Sequence, residues 1–217
     1  MHLRADAARN RAAIVEAART VFAEQGLDVP LEEIARRAGT GSATLYRRFP
    51  TREDLIAAVL AERMSEHLDA VRNGLADEDP WRGFASYVTA AAAMQARDRG
   101  IADLVIMEMP AGPEIEELRS RAFDGLVQLV ERARHSGVLR ADFTTEDVVL
   151  LLMANAGLVE RAHGMAADAS VRLVHVLLDG FRAQGASAGP PAPGPRQTEE
   201  AMRRNCGRLL TSVRRRR

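Results

Sequence analysis

The segment from Pro30 to Leu55 constrains the chain more than any other. Leu31, Ile34, Ala35 and Ala38 recur at i, i+3, i+4 and i+7, and Gly39 ends that pattern. After Gly39-Thr40-Gly41, Leu45 and Phe49 repeat at i, i+4, and Pro50 closes the second pattern. Two helices this short cannot hold themselves in water, because too few hydrogen bonds follow the costly first turn. They must pack on a third element. The helix pattern of Ile14, Ala17, Ala18, Val21 and Phe22, stopped by Gly26, supplies it. The segment therefore predicts a three-helix unit whose last two helices meet at a glycine turn, a helix-turn-helix.

At 100° per residue, Leu45 and Phe49 point into that unit and Ala43, Thr44 and Arg47 point away from it. Tyr46 and Arg48 lie on the flanks. The outward face combines a small residue that permits close approach, a hydroxyl and a guanidinium able to bond guanine in two places. The flanks offer groups suited to phosphate. Arg52, at the start of the next helix, adds a phosphate candidate beside free backbone N–H groups. A basic face is not needed by a bundle that is merely structural. That rival reading, a helical small-molecule-binding or adaptor protein, remains open on the pattern alone.

The rest of the chain predicts helices nearly end to end. Thr51 with Asp54 forms a capping-box pattern opening a helix from Arg52 to Ala76, roughly 35 Å long at 1.5 Å per residue. Asp79-Pro80 opens another, to about Arg97. A short apolar segment, Ile101 to Met109, ends at Pro110. Further helices are expected from Glu114 to Ser136, from Thr144 or Thr145 to about His163, and from Ser170 to about Ala183. Alternating strand patterns and internal repeats are missing, so the expected class is all-α.

Composition excludes several functions. The 217 residues balance 30 basic against 30 acidic groups, so any affinity for nucleic acid must be local. All the basic residues are arginine. Residues 186–217 carry eight arginines and two acids, +6, leaving −6 on the remainder. The one cysteine, Cys206, permits neither an internal disulfide nor a cysteine-based zinc site. Five scattered histidines without i, i+4 pairing argue against a metal, and neither Gly-x-Ser-x-Gly nor His-Glu-x-x-His occurs. Gly39-Thr40-Gly41 has the wrong spacing for a phosphate loop. No catalytic residue, cofactor or metal is expected. With neither a signal-peptide pattern nor a long apolar run, a cytoplasmic protein without a membrane span is the expectation.

The segment from Ile34 to Leu55 resembles the hallmark of the TetR family of bacterial transcriptional regulators. The family's small residue, leucine, tyrosine and phenylalanine fall on Ala43, Leu45, Tyr46 and Phe49. Gly41 stands where the family often has serine or threonine, and Arg52 replaces a common lysine. The resemblance implies an N-terminal three-helix DNA-binding domain and a C-terminal helical bundle for ligand binding and dimerisation. It implies a homodimer on a near-palindromic double-stranded operator, acting as a repressor and released by a small-molecule effector. Tyr46 and Arg52 inherit phosphate-positioning roles, with Arg48 beside them. Ser42, Ala43, Thr44 and Arg47 inherit base-facing positions.

Three regions follow: 1–55 as the DNA-binding domain, 56–185 as the regulatory and dimerisation domain, and 186–217 as a flexible linker and basic amphipathic tail. Within the second region Trp81, Phe84, Tyr87, Met107 and Phe123 are candidates to line a partly apolar effector pocket, since aromatic and methionine side chains suit such surfaces. Asn155, an amide within the apolar stretch Val148 to Ala156, is a candidate polar contact.

Overall fold

The computed structural model describes residues 2–97, 112–187, 189–198 and 200–201. Within them the chain is helical: α1 (His2–Gln25), α2 (Leu31–Arg37), α3 (Ser42–Arg48), α4 (Arg52–Ala76), α5 (Pro80–Arg97), α6 (Gly112–His135), α7 (Thr145–Arg161) and α8 (Ala166–Phe181). A 3-10 turn, His163–Met165, joins α7 to α8. Met107, the Ile101–Met109 segment and the stripe from Met202 to Val213 lie outside the described residues.

Local chemistry sets the boundaries. Gly39 sits at φ +65°, a left-handed conformation that a Cβ would oppose, and so turns the chain from α2 to α3. Thr51 Oγ1 accepts from the Asp54 amide at 3.1 Å while the Asp54 carboxylate accepts from the Thr51 amide at 3.0 Å, a reciprocal cap that starts α4. At the start of α7 the Asp147 carboxylate accepts from the Thr144 amide at 2.8 Å. Asp79 Oδ1 accepts from the amides of Trp81 and Arg82, opening α5.

Two cores result. The first joins Ile14, Ala18 and Phe22 of α1, Ile34 of α2, Leu45 and Phe49 of the α3 region, and Leu55 to Leu68 of α4. It is closed by Ile115 and Ala122 of α6. The second gathers Val71 of α4, Phe84, Tyr87 and Val88 of α5, Leu126 and Leu129 of α6, Phe143, and the inner faces of α7 and α8. Both α4 and α6 contribute to both cores. These two long helices therefore couple the N-terminal unit to the bundle through continuous packing rather than a loose tether.

The α4–α5 approach is set by glycine. A Cβ on Gly83 would collide with the Gly74 carbonyl oxygen and the Arg132 guanidinium. Arg132 donates to the Gly74 and Leu75 oxygens at 2.8 and 2.7 Å, satisfying the carbonyls at the end of α4.

Two elements differ from the sequence expectation. The last bundle helix starts at Ala166, not Ser170. Ser170 is buried inside it, and the 3-10 turn ending at Met165 delivers the chain in its place. A single antiparallel bridge, Leu139 with Arg182, ties the α6–α7 loop to the end of α8. One pair of backbone bonds leaves no side-chain alternation to read.

Candidate nucleic-acid interface

The exposed surface of α3 is built by what its other side buries. Leu45 is wholly buried and Phe49 nearly so, and both lock the helix onto α1 and α4. Ala43, Tyr46, Arg47 and Arg48 are then exposed, with Ser42 and Thr44 half-buried. Arg47 donates to Thr44 Oγ1 at 3.0 Å, which lays the guanidinium along the exposed helix face.

Charge on this surface is sorted. The arginines of α2 are engaged: Arg36 with Glu33, and Arg37 in a two-bond pair with Glu24 at 3.0 and 3.1 Å. Arg47 and Arg48 form no ion pair among the described residues. On this surface the cations left open to an external anion are thus the ones on α3.

Tyr46, 42% exposed, is not idle. Its hydroxyl donates to Glu32 Oε1 at 2.9 Å, across the turn to the first residues of α2. Backbone hydrogen bonding and this hydroxyl hold the Glu32 carboxyl below its usual range, and the carboxylate in turn pushes the phenol up. Glu32 is a member of this surface that the sequence pattern does not reveal.

Arg52 also has a structural partner. Its Nη1 donates to the carbonyl oxygens of both Leu27 and Val29, at 2.5 Å each. The side chain is half-buried and fastens the α1–α2 loop to the start of α4. These bonds brace the loop through Nη1 alone and do not involve the Nε and Nη2 donors of the guanidinium.

The effector candidates do not form one site. Phe84 and Tyr87 are buried in the second core, where Phe84 packs edge-on against Phe143 at 5.6 Å. The Tyr87 hydroxyl and His67 Nε2 share a hydrogen bond at 3.3 Å. Burial and the nearby Arg63 cation push the His67 pKa down to about 4, so this imidazole is neutral at pH 7 and can accept. Trp81 lies at the core edge under the Arg182 guanidinium, 4.0 Å from its ring centre. Phe123 is 51% exposed on the outer side of α6, away from the interior expected for a lining residue.

Asn155 is wholly buried. Its Nδ2 donates to Gln95 Oε1 at 2.9 Å and to the Ala92 oxygen at 3.3 Å, so it ties α7 to α5. Its Oδ1 and Gln95 Nε2 have no hydrogen-bond partner among the described residues.

A cavity of about 530 Å³ lies between α5 and α8, lined by Thr89, Ala92, Ala93, Ala96 and Arg97 on one side and Ala167, Ser170, Val171, Val174, His175 and Leu178 on the other. Of the described effector candidates, Trp81, Phe84, Tyr87, Phe123 and Asn155, none lines it. Among the described residues no group of three or more metal-ligating side chains is found, and no helix is long and apolar enough to cross a membrane.

Comparison with known proteins places this geometry. Residues 14–59 match the N-terminal model of "Bacterial regulatory proteins, tetR family", and residues 79–183 match "Transcriptional regulator SbtR-like, C-terminal domain". A TetR transcription regulatory protein from Mycobacterium vanbaalenii is 35% identical, with a TM-score of 0.62 over 83% of this chain and 99% of that one. A TetR regulator from Streptomyces coelicolor is 32% identical, with a TM-score of 0.62 over 81% of this chain and 99% of that one. An uncharacterized HTH-type transcriptional regulator of Mycobacterium tuberculosis is 26% identical over 153 residues, 69% of this chain and 79% of its own length. With its exposed basic helix held on a three-helix core and both regions matched, the chain belongs to the TetR family of bacterial DNA-binding transcriptional regulators.

Proposed function

We propose that this regulator is a ligand-responsive repressor acting as a homodimer on a near-palindromic operator. Residues 42–49 enter the major groove, with Ser42, Ala43, Thr44 and Arg47 toward base edges and Tyr46 and Arg48 toward phosphate. The observation that carries this reading is the pairing of buried Leu45 and Phe49 with exposed Arg47 and Arg48, which no carboxylate neutralises among the described residues. Residues 1–55 then serve as the DNA head and 56–185 as the regulatory region. The packing of α4 and α6 into both cores gives the two a rigid connection through which a small-molecule signal can change the spacing of paired heads. Leu150 on α7 and Val176 on α8 are exposed apolar side chains, 38% and 49%, that suit a surface shared with a second copy.

The test is selection of duplexes from a random library by the full-length protein, followed by sedimentation of the complex. Enrichment of a two-fold symmetric site holding two protomers supports the reading. Failure to enrich any sequence, or a monomer on DNA, contradicts it.

A further inference from the structure

The cavity between α5 and α8 has a chemical bias. Its volume of about 530 Å³ falls in the range that small-molecule sites occupy. Ala92, Val174 and Leu178 form buried apolar walls. Its polar lining is Thr89, Ser170, Arg97 and His175, with no carboxylate among the described lining residues. His175 has Asp179 3.7 Å away, so Arg97 is the cation that marks this half-open apolar groove among the described residues, and the groove favours a molecule that is apolar in body and negative at one end.

Arg97 is not an isolated cation. It donates to Glu66 Oε2 at 2.7 Å. The same carboxylate accepts from Arg63 at 2.7 Å and, through Oε1, from Arg19 of α1 at 2.9 Å. Arg63, only 3% exposed, also donates to the Met94 oxygen on α5. Glu66 therefore gathers α1, α4 and α5 at one point. Because three guanidinium groups share it, one can leave without stranding the carboxylate unpaired. A second anion in the cavity can take Arg97 while Arg63 and Arg19 keep Glu66 satisfied. Losing a buried charge's sole partner would be far more costly.

We propose that the α5–α8 cavity is the effector site, that it binds an organic acid with an apolar body, and that the ligand's carboxylate takes Arg97 in exchange for Glu66. The exchange alters a carboxylate that also holds Arg19 of the DNA head. This assignment rests on the ligand-responsive reading above and gives it a site and a ligand class.

Calorimetric titration of the full-length protein with sodium octanoate and with 1-octanol tests it, since the two probes share a chain and differ in charge. Octanoate is expected to bind at least tenfold more tightly. Arg97→Gln should bring the ratio of the two affinities to about one. Ala93→Phe, a substitution at an exposed lining position that fills the groove, should weaken both probes at least tenfold. Equal affinity for the two probes in the native protein, a preference that survives Arg97→Gln, or binding indifferent to Ala93→Phe would overturn the proposal. Release of selected operator DNA by some other small molecule, undiminished in Ala93→Phe, would remove this site while ligand responsiveness stands. Octanoate bound with the expected preference, and DNA retained against it, would uphold the site and sink its effector role.

Discussion

The hydroxyl of Tyr46 donates its one proton to Glu32 Oε1 at 2.9 Å. A phenol cannot donate the same proton to a phosphate oxygen. For Tyr46 to hold the DNA backbone, its bond to Glu32 must break, and the carboxylate then stands beside a phosphate. Glu32 is thus set against DNA twice, by occupying the donor and by its charge. Glu32→Gln should tighten binding to operator and scrambled duplex alike by about three- to tenfold at low salt, the scale of one unit-charge interaction at a few ångströms in water. Fluorescence anisotropy across a salt series checks this. Unchanged or weaker affinity in Glu32→Gln would show that the carboxylate positions the phenol instead of withholding it.

Arg52 braces the loop between α1 and α2 through the Leu27 and Val29 oxygens. Hydrogen bonds from a charged donor contribute about 1.5–3 kcal/mol each at most. Arg52→Ala should therefore lower unfolding stability by about 2 kcal/mol, read from urea denaturation with an unchanged m-value. A loss of DNA affinity with no loss of stability would return Arg52 to the phosphate role.

His67 gives the bundle a defined acid sensitivity. Its folded pKa is lowered to about 4, from an ordinary value of 6.5, by burial and by Arg63. Above pH 6.5 the imidazole is neutral in both states and nothing is lost. Between pH 6.5 and about 4 the unfolded chain takes up the proton that the folded chain refuses, so stability falls as pH falls. The full difference is about 3 kcal/mol at most. His67→Gln, which keeps an acceptor for Tyr87, should flatten the stability profile in this window. A slope identical to that of the native protein would contradict a buried neutral imidazole.

What the sequence made legible is what short-range physics determines. Leu45 and Phe49 announce the buried side of α3 because a helix repeats every 3.6 residues, and Thr51 with Asp54 announces the start of α4 because the cap is local. The bounds of α4 and α5, Arg52–Ala76 and Pro80–Arg97, follow from such signals. The partners of Arg52 lie 25 and 23 residues away in a loop without pattern, and Glu32 meets Tyr46 across 14 residues. No periodicity encodes those contacts. Ser170 resembles a cap because a hydroxyl precedes an apolar run, yet packing of the bundle extends the helix beyond it to Ala166. Phe123 looks internal by residue type, but the face of α6 that carries Ala122 and Leu126 takes the interior instead. Arg97 and Glu66 each read as one charge among many, and only the packing of α1, α4 and α5 brings them together.

The central claim is that α3 reads bases through Arg47 while its flanks hold the backbone. Arg47→Ala, titrated against the selected operator and a scrambled duplex at one fixed salt concentration, tests it most directly. A bidentate contact to a base discriminates by about 1–3 kcal/mol. The operator affinity should fall about ten- to a hundredfold, and the scrambled affinity only about threefold, the loss of one cation. Equal losses on the two duplexes would contradict base reading by Arg47 and leave it a backbone contact.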